Sequence, residues 1–171
     1  EALALYNREK HNNVPKTEKN EKLLDRGYGI YREVQRAWMN FDYDALRTLV
    51  TDELYNSYYN QLQTLELKGQ KNVMNNFFLI DEELLRIDEE NGLWTILMRL
   101  EVEFNDYIVD SDNKIVRGSN KDKVIMNYLL TFVENEKSED KCPHCGAKLE
   151  EGITVCNYCK AVIQSTSSQM K

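Results

Sequence analysis

Residues 93–110 carry the strongest structural pattern in the chain, an alternation of apolar and polar side chains with a period of two. Every even position from 94 to 104 is apolar: Trp94, Ile96, Met98, Leu100, Val102 and Phe104. This period is typical of a β-strand with one dry face and one wet face. A strand this long predicts a one-sided sheet that needs helices to cover it.

The pattern changes its phase after Phe104, because the next apolar residues, Tyr107 and Val109, lie at odd positions. One extra residue near Asn105 and Asp106 would keep the apolar side chains on the same face. We therefore predict a β-bulge at this point, which would bend the strand and curl the sheet.

Helical patterns precede the strand. Apolar residues recur at helical spacing over residues 17–40, and two shorter helices are predicted over residues 43–49 and 51–68. Asp42 and Thr51 are typical N-cap residues, and Gly69 is a typical residue just past a helix end. We expect three N-terminal helices to pack on the dry face of the sheet.

The remaining strands surround residues 93–110. Residues 73–90 have a mixed, strand-like pattern, and Asn91-Gly92 is a strong signal for a two-residue hairpin. After it we predict a short strand at 114–117, a loop at 118–122 and a long strand at 123–134. The predicted fold class is therefore α+β, with a curved antiparallel sheet and a main domain over residues 17–135. Residues 1–16 are interpreted as a lead-in segment and residues 136–141 as a polar linker.

All four cysteines occur in two pairs with two residues between the members, at Cys142 and Cys145 and at Cys156 and Cys159. This spacing forms a tight turn that directs both sulfurs to one point, and two such turns complete a tetrahedral thiolate site. The sequence predicts one structural Zn²⁺ in a small zinc ribbon over residues 142–163. Two disulfides in an extracellular module are the alternative, and His144 is an alternative ligand to one cysteine. Residues 164–171 are predicted to be a disordered tail.

Charge is uneven along the chain. Residues 1–140 contain 18 Lys and Arg against 27 Asp and Glu, a net charge of −9, whereas residues 141–171 have a net charge of +2. An acidic main domain argues against a nucleic-acid partner, which binds through Lys and Arg. A protein partner is the better expectation. The chain also contains no run of 18 apolar residues that would cross a membrane.

Five stretches in this order resemble a known family: residues 37–55, 71–73, 79–81, 106–110 and 128–133. Together they are similar to the Tim44-like domain, named for a subunit of the mitochondrial inner-membrane protein translocase, and the resemblance covers about residues 20–135. It implies a cystatin-like cone of the nuclear-transport-factor-two type. It also implies association with a membrane surface or lipid and work in protein transport. Bacterial relatives of this kind often carry an N-terminal membrane anchor, so the resemblance implies an anchor upstream of Glu1 and a place for this domain on the cytoplasmic side of a bacterial membrane.

In such a cone, the dry face of the sheet and the helices enclose a hollow. The residues expected to line it are apolar or aromatic: Tyr31, Trp38, Tyr58, Trp94, Met98, Leu100, Tyr128 and Phe132. One interpretation is that they fill an ordinary core. The other is an apolar pocket for an acyl chain or an apolar peptide segment.

We interpret the chain as a non-enzymatic scaffold or tethering domain that binds a partner protein. An isomerase or dehydratase of the same cone fold is one alternative, but such enzymes need an acid or base in the hollow. The dry face of residues 94–104 offers none, and both histidines, His11 and His144, lie outside the main domain. A pure protein-interaction module with a filled core is the other alternative.

Overall fold

The computed structural model describes residues 14–135, 142, 145–149, 155–161 and 169–170. Its helices are α1 (Glu18–Met39), α2 (Tyr43–Leu49) and α3 (Asp52–Leu67). Within the described residues, no helix is both long enough and apolar enough to cross a membrane. The three predicted helices are confirmed.

Local hydrogen bonds explain where two of the helices begin. The Thr17 hydroxyl accepts a hydrogen bond from the Asn20 N–H at 3.2 Å, and the Asp42 carboxylate accepts one from the Ala45 N–H at 3.1 Å. Both side chains satisfy amides of a first helical turn. Thr51 precedes α3 as predicted, but its hydroxyl makes no capping hydrogen bond. Its backbone N–H instead donates to the Met170 carbonyl at 3.0 Å.

Four antiparallel strands form one sheet in the order β1 (Lys71–Glu90), β2 (Leu93–Val109), β3 (Ile115–Asn135) and β4 (Gln169–Met170). The predicted hairpin is confirmed, since Asn91 and Gly92 join β1 to β2 with positive φ angles of 53° and 77°. The fold is therefore α+β, with three helices packed on a four-stranded antiparallel sheet.

The pairing of β2 with β3 is irregular at the predicted place, but the extra residues belong to β3 and not to β2. The register runs unbroken from Leu93↔Asn135 to Phe104↔Val124 and then jumps to Asp106↔Ser119. A single β2 residue, Asn105, thus faces residues 120–123. The loop predicted at residues 118–122 is wrong, because this segment remains inside β3 as a wide bulge.

Asn105 explains how the sheet tolerates this bulge. It is the one polar residue among the described residues that is buried, with 2% of its surface exposed. Its side-chain amide donates to the Asp122 carbonyl at 3.1 Å and accepts from the Asn76 side chain at 2.8 Å. Asn105 therefore provides a hydrogen bond to the Asp122 carbonyl, which lies outside the regular strand pairing. Its own buried amide group is also hydrogen-bonded, as buried polar groups usually are.

The core lies between α1 and the concave face of the sheet. Leu100 and Val102 of β2 are fully buried there, as the alternating pattern predicts. Gly27 allows α1 to approach closely, since a Cβ atom at this position would lie 2.4 Å from the Met98 sulfur. The side chains of the helix and the sheet therefore fill the space between them.

The disordered tail predicted over residues 164–171 is wrong at Gln169 and Met170. These residues pair with Val133 and Phe132, and Met170 belongs to the core with 3% of its surface exposed. A polar composition led to the prediction, whereas burial of one apolar side chain against β3 decides the structure. The predicted linker at residues 136–141 lies outside the described residues. In the predicted lead-in, Val14 packs against the core, and residues 1–13 lie outside the described part.

Candidate metal centre and groove

The first cysteine pair lies in a tight turn closed by backbone hydrogen bonds. The Gly146 N–H donates to the Cys142 carbonyl at 2.7 Å, and the Cys142 N–H donates to the Ala147 carbonyl at 2.7 Å. Gly146 has a φ of +72°, which glycine adopts without strain.

The second pair repeats this turn. The Lys160 N–H donates to the Cys156 carbonyl at 3.0 Å, and the Cys156 N–H donates to the Ala161 carbonyl at 2.9 Å. Lys160 takes the position of Gly146 and has a φ of +61°. The near-repeat in the sequence is therefore a repeat in backbone geometry.

The two turns bring all four sulfurs together, and every pair of sulfur atoms lies within 4.8 Å. The Cys142 and Cys159 sulfurs are 3.6 Å apart, and those of Cys145 and Cys156 are 3.7 Å apart. A disulfide needs about 2.05 Å. Zinc–sulfur bonds of about 2.3 Å in a tetrahedron place sulfurs about 3.8 Å apart. The four cysteines therefore fit a metal ion and form a possible metal site.

The environment of Cys156 favours a thiolate. The N–H groups of Cys159 and Tyr158 point at its sulfur at 3.5 and 3.4 Å. The Cys159 amide has the largest effect, and together these contacts lower the pKa of Cys156 to about 6. A thiolate is the form that binds metal. Four protein ligands leave no coordination position for water, so an ion held here has a structural role.

Among the described residues of the cysteine module, Lys160 is the one non-glycine residue with a positive φ angle. Lys160→Gly should stabilise the module by about 1 kcal/mol, because a side chain disfavours the left-handed backbone that Gly146 adopts freely. Competition with a chromophoric chelator, followed as a function of chelator concentration, measures the effect as tighter metal retention. Lys148→Gly, an exposed lysine of the same module without a positive φ, is the control. Equal retention in both variants would contradict the prediction.

Of the residues predicted to line the hollow, four are core residues with at most 3% exposure: Tyr31, Met98, Leu100 and Phe132. Trp38, Tyr58 and Tyr128 are partly buried and pack against the same cluster. Their rings are in contact, with 5.2 Å between the centroids of Trp38 and Tyr58 and between those of Tyr31 and Tyr128. Trp94 is not part of this cluster, and the Lys19 ammonium lies 5.5 Å from its ring centroid.

Three tyrosines of the predicted lining, Tyr31, Tyr58 and Tyr128, are held as neutral phenols. Burial raises the pKa of Tyr31, Tyr58 and Tyr128 above the ordinary value, and the neighbouring Tyr128 phenol raises that of Tyr31 further. The Tyr31 hydroxyl is buried without a well-formed hydrogen bond in the described residues. Phenols of this kind remain protonated at neutral pH and do not act as bases.

A groove of about 440 Å³ lies beside the core, where the C-terminal ends of α1 and α3 meet the bent part of the sheet. Its lining residues come from two helices and three strands: Trp38, Gln61, Thr64, Leu65, Asn72, Asp106, Tyr107, Ile108, Arg117 and Gly118. Of the eight residues predicted for the hollow, Trp38 alone lines this groove. Sequence analysis missed the other nine residues that line the groove, because they come together only through the wide bulge.

Hydrogen bonds fix one wall of the groove. The Trp38 indole N–H donates to the Asn72 side-chain oxygen at 3.0 Å. The Asn72 amide group in turn donates to the Asp106 carboxylate at 2.7 Å and to the Tyr107 carbonyl at 3.0 Å. Arg117 also lines the groove, and in the described part of the chain no carboxylate pairs with it. The groove therefore offers an aromatic wall, a carboxylate and a free guanidinium.

Glu82 is a second residue that the sequence pattern does not single out, because a run of three acidic residues, Asp81 to Glu83, is typical of a solvated face. Glu82 pairs with Leu100 across β1 and β2, which places it on the concave side. One of its carboxylate oxygens is buried without a hydrogen-bond partner in the described residues. Burial, reinforced by the charges of Asp25 and Asp81, raises its pKa. It does not line the groove.

This raised pKa predicts a dependence of stability on pH. The folded state holds the Glu82 proton more tightly than the unfolded state, so the free energy of unfolding should fall as pH rises from the ordinary glutamate pKa through the folded one. Glu82→Gln should therefore stabilise the fold at pH 7 and have little effect below pH ~4. Urea unfolding at both pH values, with the exposed Glu90→Gln as control, measures this. A loss of stability at pH 7 in Glu82→Gln would contradict it.

The fold and the cysteine cluster define a class: a helix-covered antiparallel sheet domain joined to a small four-cysteine module. The pattern that describes the Tim44-like domain matches residues 9–142, and the chain belongs to this family. The match covers the sheet domain and ends at the first cysteine. Among curated proteins, no sequence matches the chain.

Proposed function

We propose that this protein is a non-enzymatic, membrane-associated scaffold that binds a partner protein in protein transport. Membership of the Tim44-like family points to membrane association and protein transport. The observation that supports the non-enzymatic part is the packed concave face, where Leu100, Met98 and Phe132 are buried in the apolar core cluster. The proposal includes the cytoplasmic side of a bacterial membrane, a reducing compartment in which four free thiols persist.

The metal of the proposal is one structural Zn²⁺ held by Cys142, Cys145, Cys156 and Cys159. Four thiolates and one Zn²⁺ have a formal charge of −2, which the nearby lysines of the module partly offset. Zinc binding of about 10–16 kcal/mol is large enough to fold a module of this size.

The groove beside Trp38 is the better candidate for an apolar ligand than the hollow itself. An acyl chain or an apolar peptide side chain would contact Trp38, Leu65 and Ile108 there. The core residues predicted to line the hollow are packed against one another, which supports the filled-core interpretation for that region.

Two matched variants test the groove as the partner site. Leu65→Trp fills it, whereas Leu67→Trp makes the same change two residues further on, at a side chain that is 88% exposed. A photo-crosslinker at Gln61 should capture one membrane-associated protein in cells, and Leu65→Trp should abolish this product while Leu67→Trp retains it. Loss of the product in both variants, or in neither, would contradict the groove as the site.

Native mass spectrometry separates the remaining alternatives. A co-purifying acyl lipid that Leu65→Trp displaces would favour a lipid-binding groove. A clean mass of the chain with one zinc would favour the pure interaction module. The enzyme alternative requires turnover of a small keto or unsaturated substrate that Asp106→Asn abolishes, because Asp106 is the carboxylate that lines the groove.

A further inference from the structure

We propose that the free edge of β3 over residues 124–131 binds an extended segment of a partner protein as an added, antiparallel strand. The segment is apolar where it pairs with the strand and acidic at its C-terminal end. This inference rests on the proposed role as a protein-binding scaffold and assigns the surface and the chemistry of the partner.

The β3 edge is regular over these residues. Its pairing with β2 shows no register shift between Leu93↔Asn135 and Phe104↔Val124. On the other side of β3, β4 pairs only with Phe132 and Val133. In the described part of the chain, the outward backbone N–H and C=O groups of residues 124–131 therefore have no strand beside them. Such an edge is a template for another strand.

The opposite edge of the sheet is different. The pairing of β1 with β2 is interrupted by three register shifts, between Asn75 and Phe78, Leu79 and Asp81, and Leu84 and Arg86. Bulges of this kind disturb the row of donors and acceptors and protect an edge from added strands. The two edges therefore differ in their readiness to pair, and β3 is the open one.

Apolar side chains are exposed on both faces of the β3 edge. Val124 and Met126 pair with Phe104 and Val102 and lie on the concave face, whereas Ile125 lies on the outer face opposite Glu103. All three are exposed, Ile125 at 56%. An added strand would cover them, with its alternate side chains against Met126 on one face and Ile125 on the other.

The chain itself already uses the upper end of this edge. Met170 of β4 is buried beside Phe132, and its carbonyl accepts a hydrogen bond from the Thr51 N–H at 3.0 Å. β4 runs antiparallel to β3. A partner strand in the same direction would pass from Thr131 down to Val124 and would leave the edge at its C-terminal end.

The charged residues beside this part of β3 indicate the chemistry of the C-terminal end of the partner strand. Beyond Val124, the chain carries three cations, Lys123, Lys121 and Arg117, and one acid, Asp122, whose carboxylate accepts a hydrogen bond from the Ser119 hydroxyl at 2.9 Å. Lys123 pairs with Glu103 at 3.0 Å, but Lys121 and Arg117 have no ion pair among the described residues. These cations stand out in a region of net charge −9 over residues 1–140. A segment that ends in acidic residues would meet them.

The test uses the full chain with its metal and two fluorescent synthetic peptides of identical composition. One peptide has four Val-Thr repeats followed by three aspartates, and the other has the three aspartates first. We expect the first peptide to bind about fivefold more tightly, since only its acidic end reaches Lys121 and Arg117. Hydrogen exchange should show new protection of the amides of residues 124–131.

Matched variants place the site on the correct edge. Ile125→Glu and Phe78→Glu make similar apolar-to-acidic changes at exposed positions that both pair with Glu103, one on each edge of the sheet. Ile125→Glu should weaken binding of the first peptide about tenfold through lost apolar contact and charge repulsion, and Phe78→Glu should change it less than about twofold. Equal effects, or equal binding of both peptides, would overturn the proposal.

Other occupants of this edge give distinct results. Protection of residues 124–131 in the chain without peptide would show that the chain covers its own edge, and a dimer that Ile125→Glu dissociates would show that a second copy does. Either result overturns the inference. Capture of the partner through the groove depends on Leu65 of α3 rather than on Ile125 of β3. If the peptide fails while that capture persists, the edge inference alone falls.

Discussion

Cys145→Ser should abolish binding of the proposed zinc ion and unfold the cysteine module while the sheet domain stays folded. The variant loses one of four sulfurs that lie within 4.8 Å of one another, and with it most of a binding free energy of about 10–16 kcal/mol. Atomic absorption should show a fall from about one zinc per chain to nearly none. The far-ultraviolet circular dichroism of the helices should persist.

We expect the sheet domain to be almost unaffected. The proposed zinc ion would act on it by shortening the segment that has to close between β3 and β4, and doubling the length of a loop costs only about 0.6 kcal/mol. The control is His144→Ala, which should retain one zinc because the four sulfurs already complete a tetrahedral site. Loss of zinc in His144→Ala, or a full zinc in Cys145→Ser, would contradict the four-cysteine assignment.

Gly118→Ala should lower the free energy of unfolding of the sheet domain by about 3 kcal/mol. Gly118 has a φ of +78°, and a Cβ atom there would lie 2.3 Å from the Asp106 carbonyl oxygen and 2.8 Å from the Tyr107 Cα. Both neighbours are backbone atoms of β2, so relief requires that the strands separate at the bulge. Urea denaturation measures the loss.

Gly69→Ala isolates the cause of this effect. Gly69 also has a positive φ, of +62°, but nothing lies within 4 Å of a Cβ atom at that position. It should therefore lose only about 1 kcal/mol, the cost of the left-handed backbone for alanine. If the two variants lose the same stability, the close approach of β3 to β2 at Gly118 does not exist. Because Gly118 and Asp106 line the groove, Gly118→Ala should also weaken the binding of any ligand in the groove.

Glu82 shows why the sequence predicts only some of the charged residues that face the interior. The alternation in residues 94–104 correctly predicted an interior strand face without acids or bases. The inward position of Glu82 was not predicted, because the three register shifts between β1 and β2 change the face of the sheet on which a given β1 residue lies. A shift of one residue moves a side chain from one face to the other, and no local pattern reports it.

The groove was missed for a related reason. Its residues come from α1, α3 and three strands, and they meet because the bulge at Asn105 bends the sheet. The sequence indicated that a bulge exists there, since the apolar phase changes after Phe104. It did not indicate that residues 120–123 of β3 supply the extra length, because that depends on the pairing of two strands.

The sequence by itself determined the features that depend on neighbouring residues: the three helices, the Asn91-Gly92 hairpin, the alternating strand and the two cysteine turns. Each arises from periodicity, backbone preference or ligand spacing within a few residues. The tertiary structure alone decided the strand registers, the inward position of Glu82, the groove and the docking of Met170 against β3. These depend on contacts between distant segments, whose free energy comes from burial that no single stretch of the chain contains.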